Sequence, residues 1–192
     1  VLVNNAGVEH CSAFDQAPRN ELLETVTVNL TAPMLLTHAA LPGMLERGRG
    51  HVVFMASAAG KIGPAFEAPY GATKAGLIAL TQGLRQEFRK QPVSFSVVCP
   101  GFVAGDGMYQ RMVEEGVRSN RIIGSTTIER IANDVLEAVR RDLPEVVDTG
   151  APIRPVLALS QLAPRTTERL LTRIGLDKMF ERAAEVRGRG GR

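Results

Sequence analysis

The sequence predicts an α/β fold built on a parallel β-sheet of about four strands. Short apolar runs alternate with long stretches of helical periodicity along the 192 residues, and no internal repeat interrupts the alternation. Strands that are separated by helices pair in parallel through right-handed crossovers, so we expect helices on the faces of the sheet. Ligands bind such sheets beyond the carboxyl ends of the strands.

The composition is that of an ordinary globular protein, with 44% hydrophobic residues, 22% charged residues and a net charge of +3. Much of that charge lies in the final RGRGGR segment, which we expect to be a disordered, solvated tail and not a nucleic-acid-binding element. We expect no signal peptide, and no apolar stretch of the sequence is long enough to span a bilayer. Cys11 and Cys99 show no metal-type or disulfide spacing, which predicts a cytoplasmic protein.

The first predicted strand covers residues 1–4 and ends in the small residues Asn5-Ala6-Gly7, which allow a ligand to approach closely. A helix is predicted from residue 18 to residue 45, because apolar residues recur there at four-residue steps. Asn29 interrupts this helix, and Pro33 cannot donate a backbone hydrogen bond to its carbonyl. We therefore expect a freed carbonyl and a kink at Asn29, with simple helix irregularity as the alternative.

The central stretch, residues 51–74, carries the chemistry. A strand over residues 51–56 ends at Ser57, a Gly/Pro loop follows, and a helix over residues 69–90 begins with Tyr70 and Lys74. Residues four positions apart lie on the same face of a helix, so the phenol and the ammonium point into the same space. The alternative is an ordinary first helical turn whose lysine extends to solvent.

The remaining elements complete the α/β pattern. Residues 93–98 form a third strand that ends at Pro100-Gly101, and residues 145–148 form a fourth. Thr126 and Glu129 predict a capping box for a helix that ends near Arg141. The Met/Phe-rich stretch 102–112 is either a substrate lid or core packing. The amphipathic segments from residue 152 to residue 180 cover a hydrophobic substrate, a subunit interface or a membrane surface, in that order of preference.

Tyr70, Lys74 and Ser57 suit the interconversion of an alcohol and a carbonyl. A free tyrosine has a pKa near ~10, and an ammonium about 4 Å away contributes roughly 4 kcal/mol at an effective dielectric near 20. Lys74 should therefore lower the pKa of Tyr70 by at most two or three units, towards neutrality. Ser57 would hydrogen-bond the substrate oxygen, and a hydride must come from a cofactor because no side chain supplies one.

Five motifs in order resemble the short-chain dehydrogenase/reductase family, which uses NAD or NADP. They are Asn-Asn-Ala-Gly at 4–7, Asn29 in the next helix, Ser57 thirteen positions before the tyrosine, Tyr70-x-x-x-Lys74, and Pro100-Gly101. The resemblance covers residues 1–150. It implies an oxidoreductase domain over 1–150 and a helical extension with the disordered tail over 151–192.

The resemblance also implies a role for each matching residue. Tyr70 would donate or accept the proton, Lys74 would lower its pKa and hold the nicotinamide ribose, and Ser57 would position the substrate oxygen. Asn29 would anchor a proton-relay water through its carbonyl. The expected cofactor-binding residues are Asn5, Ala6, Gly7, Tyr70, Lys74, Pro100, Gly101 and Val103.

Two departures from the family pattern stand out. Ala104-Gly105-Asp106 occupies the place where many members have a threonine that contacts the cofactor. The glycine-rich phosphate loop and the residue that selects NAD or NADP are absent, because they precede Asn-Asn-Ala-Gly in the family. The chain therefore resembles the C-terminal half of a Rossmann-like, doubly wound sheet. We expect its first strand to be an exposed edge and the chain alone to bind dinucleotide poorly.

Two other functions remain as alternatives: a non-catalytic dinucleotide-binding relative, and a gene fragment with no function of its own. The intact Ser57, Tyr70 and Lys74 disfavour the first. The substrate is expected to be a small hydrophobic ketone or alcohol, because the segments that should line the pocket are apolar on balance. His10, His38 and His51 form no ligand cluster, so no metal site is predicted. A homo-oligomer through the helices at 18–45 and 69–90 is expected from the resemblance.

Overall fold

The protein folds around a four-stranded parallel sheet, as the alternation of strands and helices predicts. The computed structural model describes residues 1–105, 107–117, 124–150 and 154–190. The four strands stand in the order β1-β2-β3-β6, and β4 and β5 form a separate two-stranded sheet. In chain order the strands are Leu2–Asn4 (β1), Gly50–Met55 (β2), Val93–Pro100 (β3), Val103–Ala104 (β4), Thr126–Thr127 (β5) and Glu145–Asp148 (β6).

Helices connect the strands and form the C-terminal part of the chain. They are Arg19–Val26 (α1), Ala32–Glu46 (α2), Ala59–Ile62 (α3), Ala68–Glu87 (α4), Met108–Glu114 (α5), Ile128–Arg140 (α6), Arg154–Leu162 (α7), Pro164–Arg173 (α8) and Leu176–Gly190 (α9). A π-helical turn, Thr27–Thr31, joins α1 to α2, and a 3₁₀ turn covers Phe14–Gln16. None of the helices in the described ranges is both long and apolar enough to cross a membrane.

Two apolar layers sandwich the sheet, because successive strand side chains point to opposite faces. Val52 and Phe54 of β2 pack with Leu77 and Ile78 of α4 on one face. On the other face, Val53 packs with residues of β3 and α6. The sheet is therefore buried between helices at its centre, which fixes the carboxyl ends of β2 and β3 at one edge of the molecule.

A third apolar cluster joins the C-terminal helices to loops near those carboxyl ends. Its buried members are Cys11, Met112, Val117, Leu176, Met179, Phe180 and Ala183. Phe102 and Tyr109 pack against the cluster, and their rings lie 5.0 Å apart. The Met/Phe-rich stretch is thus packed against α9, as the core-packing alternative requires.

Local details differ from the sequence-based expectations in three places. The loop before Tyr70 contains the short helix α3. Thr127, and not Thr126, caps α6, because its hydroxyl accepts from Arg130 N at 3.4 Å while the Thr126 hydroxyl donates to Asp148. The expected disordered tail is helical as far as Gly190, and Arg187 forms ion pairs.

The first strand lies at an edge of the sheet, as expected. It pairs only with β2 among the described strands, and Val3 is 42% exposed. Some positions singled out in the sequence lie outside the described residues: Asp106, the segment 118–123, Pro152 and the final residues 191–192.

Candidate functional site

Three of the four expected catalytic side chains converge at the carboxyl end of β2. Ser57 lies two residues after this strand, and Tyr70 lies in the first turn of α4. The Ser57 side chain lies beside the Tyr70 phenol and lowers its pKa. The Lys74 Nζ atom lies 5.5 Å from the centroid of the Tyr70 ring. The structure therefore brings together the hydroxyl, the phenol and the ammonium.

Lys74 is buried and is anchored away from the phenol oxygen. Its Nζ donates to the Met55 carbonyl at 2.8 Å, and its residue is 3% exposed. Burial lowers the pKa of the Lys74 ammonium from 10.5 to about 8, although the nearby Cys99 acts in the opposite direction. The ammonium thus remains largely protonated at neutral pH.

The pKa of Tyr70 is raised, which contradicts the expectation that Lys74 lowers it. Burial is the largest cause, and the charges of Glu67 and Glu9 act in the same direction. The hydrogen bond with Ser57 lowers the pKa but does not offset these effects. In this chain the phenol is therefore protonated at neutral pH, and the simple charge argument failed because it ignored desolvation and the two carboxyl groups.

Asn29 is fully buried in the π-helical turn, at the position where a freed carbonyl and a kink were expected, with helix irregularity as the alternative. At the end of this turn, Ala32 N bonds to the Thr27 carbonyl five residues earlier. The Asn29 side chain reaches the loop after β1, where Nδ2 donates to Val8 O and Oδ1 accepts from Val8 N, each at 2.8 Å. Asn29 Nδ2 also lies 3.4 Å from the Thr73 hydroxyl on α4. One amide therefore connects the β1 loop to the helix of Tyr70 and Lys74.

Gly7 shows how closely these segments approach one another. A Cβ atom at this position would lie 3.3 Å from Asn29 Oδ1 and 3.4 Å from Lys74 Nζ. Asn5 and Ala6 beside it are exposed. The end of β1 thus forms an open wall next to the Lys74 ammonium.

Pro100 and Gly101 form the opposite side of the site. Pro100 O accepts from Ala58 N at 2.8 Å and from the Ser57 hydroxyl at 3.4 Å. Gly101 N donates to Asp148 O at 2.8 Å, and a Cβ atom at Gly101 would lie 2.9 Å from Thr149 Cα. Val103 lies farther along, in β4, where it packs against the apolar cluster of α6.

A buried polar group beside Tyr70 was not found from the sequence. A carboxyl oxygen of Glu9, a carboxyl oxygen of Glu67 and the Cys11 sulfur all lie within 4.8 Å of one another. Arg187 from α9 forms an ion pair with Glu9 at 2.9 Å. Burial raises the pKa of Glu67 well above its usual range, and so do a hydrogen bond and the charge of Glu9. A glutamate in the apolar context Pro-Ala-Phe-Glu-Ala-Pro-Tyr was the one available signal.

Comparisons of the sequence with known proteins find relatives of this chain. The family model for the short chain dehydrogenase matches residues 1–115. Ketoacyl reductase HetN of Nostoc sp. is 38% identical over 196 residues, which cover 100% of this chain and 67% of HetN. Acetoacetyl-CoA reductase of Rhizobium meliloti is 33% identical over 68% of this chain and 54% of its own length. Dehydrogenase/reductase SDR family member 7B of Rattus norvegicus is 29% identical over 89% of this chain and 54% of its own length.

A solved structure shows the same fold. The structure of 4-hydroxyisoleucine dehydrogenase complexed with NADH and succinate aligns with a TM-score of 0.68 and 22% identity, over 78% of this chain and 66% of that chain. Most of the curated relatives are longer than the match: the chain spans 50% to 54% of the rat, Rhizobium and Streptomyces violaceoruber proteins.

Proposed function

The chain belongs to the short chain dehydrogenase family, and from this premise we propose that it carries the catalytic centre of an NAD(P)-dependent carbonyl reductase. Tyr70 is the proton donor, Ser57 holds the substrate oxygen, and Lys74 keeps a cation beside the phenol. The observation that carries this proposal is the Ser57 side chain beside the Tyr70 phenol, with the Lys74 ammonium 5.5 Å from the centroid of the Tyr70 ring. Two donors and a cation at one point stabilise the negative charge that develops on a carbonyl oxygen during reduction.

The protonated state of Tyr70 supports carbonyl reduction over alcohol oxidation. Because its pKa is raised, the phenol carries a proton that it can donate to a ketone oxygen. Lys74 then offsets the charge left on the phenol. Asn29 holds the β1 loop against Lys74, and we propose that its backbone carbonyl orients a water that returns the proton.

The residues at the ends of the strands fit a dinucleotide cofactor. At Gly7 a side chain would meet Asn29 and Lys74, so the backbone alone leaves room for a ligand next to the ammonium. Asn5, Ala6 and Gly7 would border the adenosine side, Tyr70 and Lys74 would hold the nicotinamide ribose, and Pro100, Gly101 and Val103 would run past the nicotinamide. The cofactor supplies the hydride when it is bound.

We propose a ketoacyl group as the substrate class. The curated relatives include proteins named ketoacyl reductase and acetoacetyl-CoA reductase, and the apolar cluster around Met112 and Phe180 lies near the site. We further propose that residues 1–150 are the catalytic unit, that residues 151–192 extend it, and that the protein works as a cytoplasmic homo-oligomer.

The alternative is a non-catalytic relative that binds dinucleotide without turnover. Under the reductase proposal, the 192 residues alone should turn over slowly. One experiment compares the chain as it stands with the same chain joined at Val1 to the segment that precedes Asn-Asn-Ala-Gly in a ketoacyl reductase relative. We expect NAD(P)H-dependent reduction of a ketoacyl thioester only in the joined protein.

Substitutions in the joined protein assign the roles. Tyr70→Phe should lower turnover by at least about 10²-fold while cofactor binding persists, and Ser57→Ala should act in the same direction. Ser94→Ala at the opposite end of β3 is the matched control and should keep full activity. Cofactor binding without turnover in the unsubstituted protein would instead support the non-catalytic alternative. Full activity in Tyr70→Phe would remove Tyr70 from its role.

A further inference from the structure

A buried pair of carboxyl groups lies between the catalytic helix and the C-terminal helix. Glu67 directly precedes α4, three positions before Tyr70, and is 4% exposed. The Glu9 side chain, also 4% exposed, follows Val8, the residue held by Asn29. The two glutamates are therefore attached to the two segments that form the catalytic centre.

The contacts of Glu9 leave one oxygen that requires a donor. Its Oε1 atom accepts from Arg187 Nη1 at 2.9 Å, whereas its Oε2 atom is buried with no hydrogen-bond partner among the described residues. A buried oxygen without a hydrogen-bond donor destabilises the fold. One carboxyl oxygen of Glu67 lies within 4.8 Å of a carboxyl oxygen of Glu9, and a proton on Glu67 would supply the missing donor.

The charges around the pair also favour one shared proton. Among the described residues, Arg187 is the cation that faces these carboxyl groups, because it pairs with both Glu9 and Glu115. Besides Tyr70, the pair has Cys11 as a titratable neighbour, whose thiol donates to Phe180 O at 3.4 Å and whose pKa is raised by burial to about 12. Three carboxylates against one cation in an apolar setting would be strongly repulsive, and a shared proton removes one of the charges.

We propose that Glu67 is a positioning residue for Tyr70: it shares one proton with Glu9 in a buried pair that Arg187 closes, and this pair fixes both the start of the catalytic helix and the charge that the phenol faces. The proposal rests on the proposed function of Tyr70 as proton donor. Gly71 N donates to Glu67 O at 2.8 Å, so the Glu67 backbone also takes part in the first helical turn, which carries Tyr70. In this arrangement a protonated pair presents one negative charge to Tyr70, and loss of the proton presents two.

The shared proton is tested by ¹³C nuclear magnetic resonance of the glutamate carboxyl groups and of the Tyr70 Cζ atom, without cofactor or substrate. We expect one carboxyl, assigned to Glu67 by its loss in Glu67→Gln, to titrate well above the ordinary glutamate value near ~4.3. The Tyr70 Cζ resonance should shift with the same midpoint. Arg187→Ala should raise that midpoint, because the cation favours the ionised pair.

Matched variants keep the test decisive. Glu185→Gln and Arg182→Ala, both exposed on α9, should leave the midpoint unchanged. Glutamine is isosteric with a protonated glutamate, so Glu67→Gln and Glu9→Gln should both fold and should both abolish the step in the Tyr70 signal. If Glu67→Gln does not fold, the carboxylate itself is required and the proposal is wrong.

Three other outcomes also overturn the proposal. The first is titration of all glutamates in their ordinary range. The second is a raised Glu67 midpoint with a constant Tyr70 signal, which would indicate a purely structural pair. The third is a midpoint that changes on chelator treatment, which would assign the site to a metal ion. Because no turnover is measured, a titrating pair in an inactive enzyme would leave this proposal standing while the reductase proposal failed.

Discussion

The side-chain amide of Asn29 pairs with both backbone groups of Val8, at 2.8 Å for each hydrogen bond, across 21 residues of sequence. This pairing holds the loop after β1 against the π-helical turn. It also explains why a polar residue is fully buried in the middle of a helix: the amide replaces backbone partners that the loop cannot find elsewhere.

Asn29→Ala should lower the free energy of unfolding by about 2–4 kcal/mol, because Val8 N–H and C=O lose their partners in a partly buried position. Urea unfolding measures the change. Asn133→Ala, at an exposed position in α6, is the control and should change stability by less than about 0.5 kcal/mol. Equal effects of the two substitutions would contradict the role assigned to the amide.

Two helical glycines predict opposite effects of the same substitution. A Cβ atom at Gly60 would lie 2.6 Å from Lys74 C and 2.7 Å from Ala75 N, which are backbone atoms of α4. Gly60→Ala should therefore destabilise the protein by about 1–3 kcal/mol, because α3 must move away from α4. At Gly83, also helical, a Cβ atom meets nothing within 4 Å, so Gly83→Ala should stabilise by about 0.5–1 kcal/mol. Thermal unfolding of both variants gives the signs directly.

Lys74 confers a pH dependence with a defined sign. Between pH about 8 and 10.5 the unfolded chain keeps a proton on Lys74 that the folded chain has lost, so this contribution to stability rises with pH. At about 1.4 kcal/mol per pH unit, the total across the window is about 3 kcal/mol. The check is the unfolding free energy of the wild type minus that of Lys74→Met, measured by urea at several pH values.

The wild-type minus Lys74→Met difference in unfolding free energy should increase through this pH window. The control is Lys90→Met, at an exposed position beyond the C-terminal end of α4, and its difference should stay constant. A constant difference for Lys74→Met would show that the ammonium titrates normally in the folded chain.

Arg187 should control access to Cys11. The thiol is 3% exposed beneath α9, and the Arg187 ion pairs hold that helix to the β1 loop and α5. Arg187→Ala leaves Glu9 buried without its cation, so we expect a loss of about 2–4 kcal/mol and faster labelling of Cys11. The rate of reaction with a thiol reagent, in a Cys99→Ala background, measures the exposure. Unchanged labelling relative to Arg182→Ala would contradict this role of the ion pairs.

The sequence was sufficient for the sheet and for the convergence of Ser57, Tyr70 and Lys74, because both follow local patterns. The predicted strand at 145–148 matches Glu145–Asp148, and the helix predicted from residue 69 begins at Ala68. The single helix predicted over 18–45 is divided by the π-helical turn around Asn29, where Pro33 had indicated a break. The family and the parallel sheet of four strands are confirmed.

What the sequence missed depends on residues that are distant along the chain. The pKa of Tyr70 is set by burial and by Glu67 and Glu9, and the spacing of tyrosine and lysine contains neither effect. Arg187 resembles a tail residue in a glycine-rich context, and only the packing of α9 shows its partners. Thr127 and not Thr126 caps α6, and this likewise depends on a distant residue: the Thr126 hydroxyl donates a hydrogen bond to Asp148.

The ion pair between Glu9 and Arg187 joins positions 178 residues apart, and this separation has a consequence for how the protein matures. The entropy of closing a loop grows with its length, so contacts of this kind form after local helices and neighbouring strand pairs. Ribosomal synthesis adds to the delay, because Arg187 is made long after the strands of the sheet. A nascent chain can therefore assemble its sheet while the β1 loop is still unclamped, and α9 closes the site last.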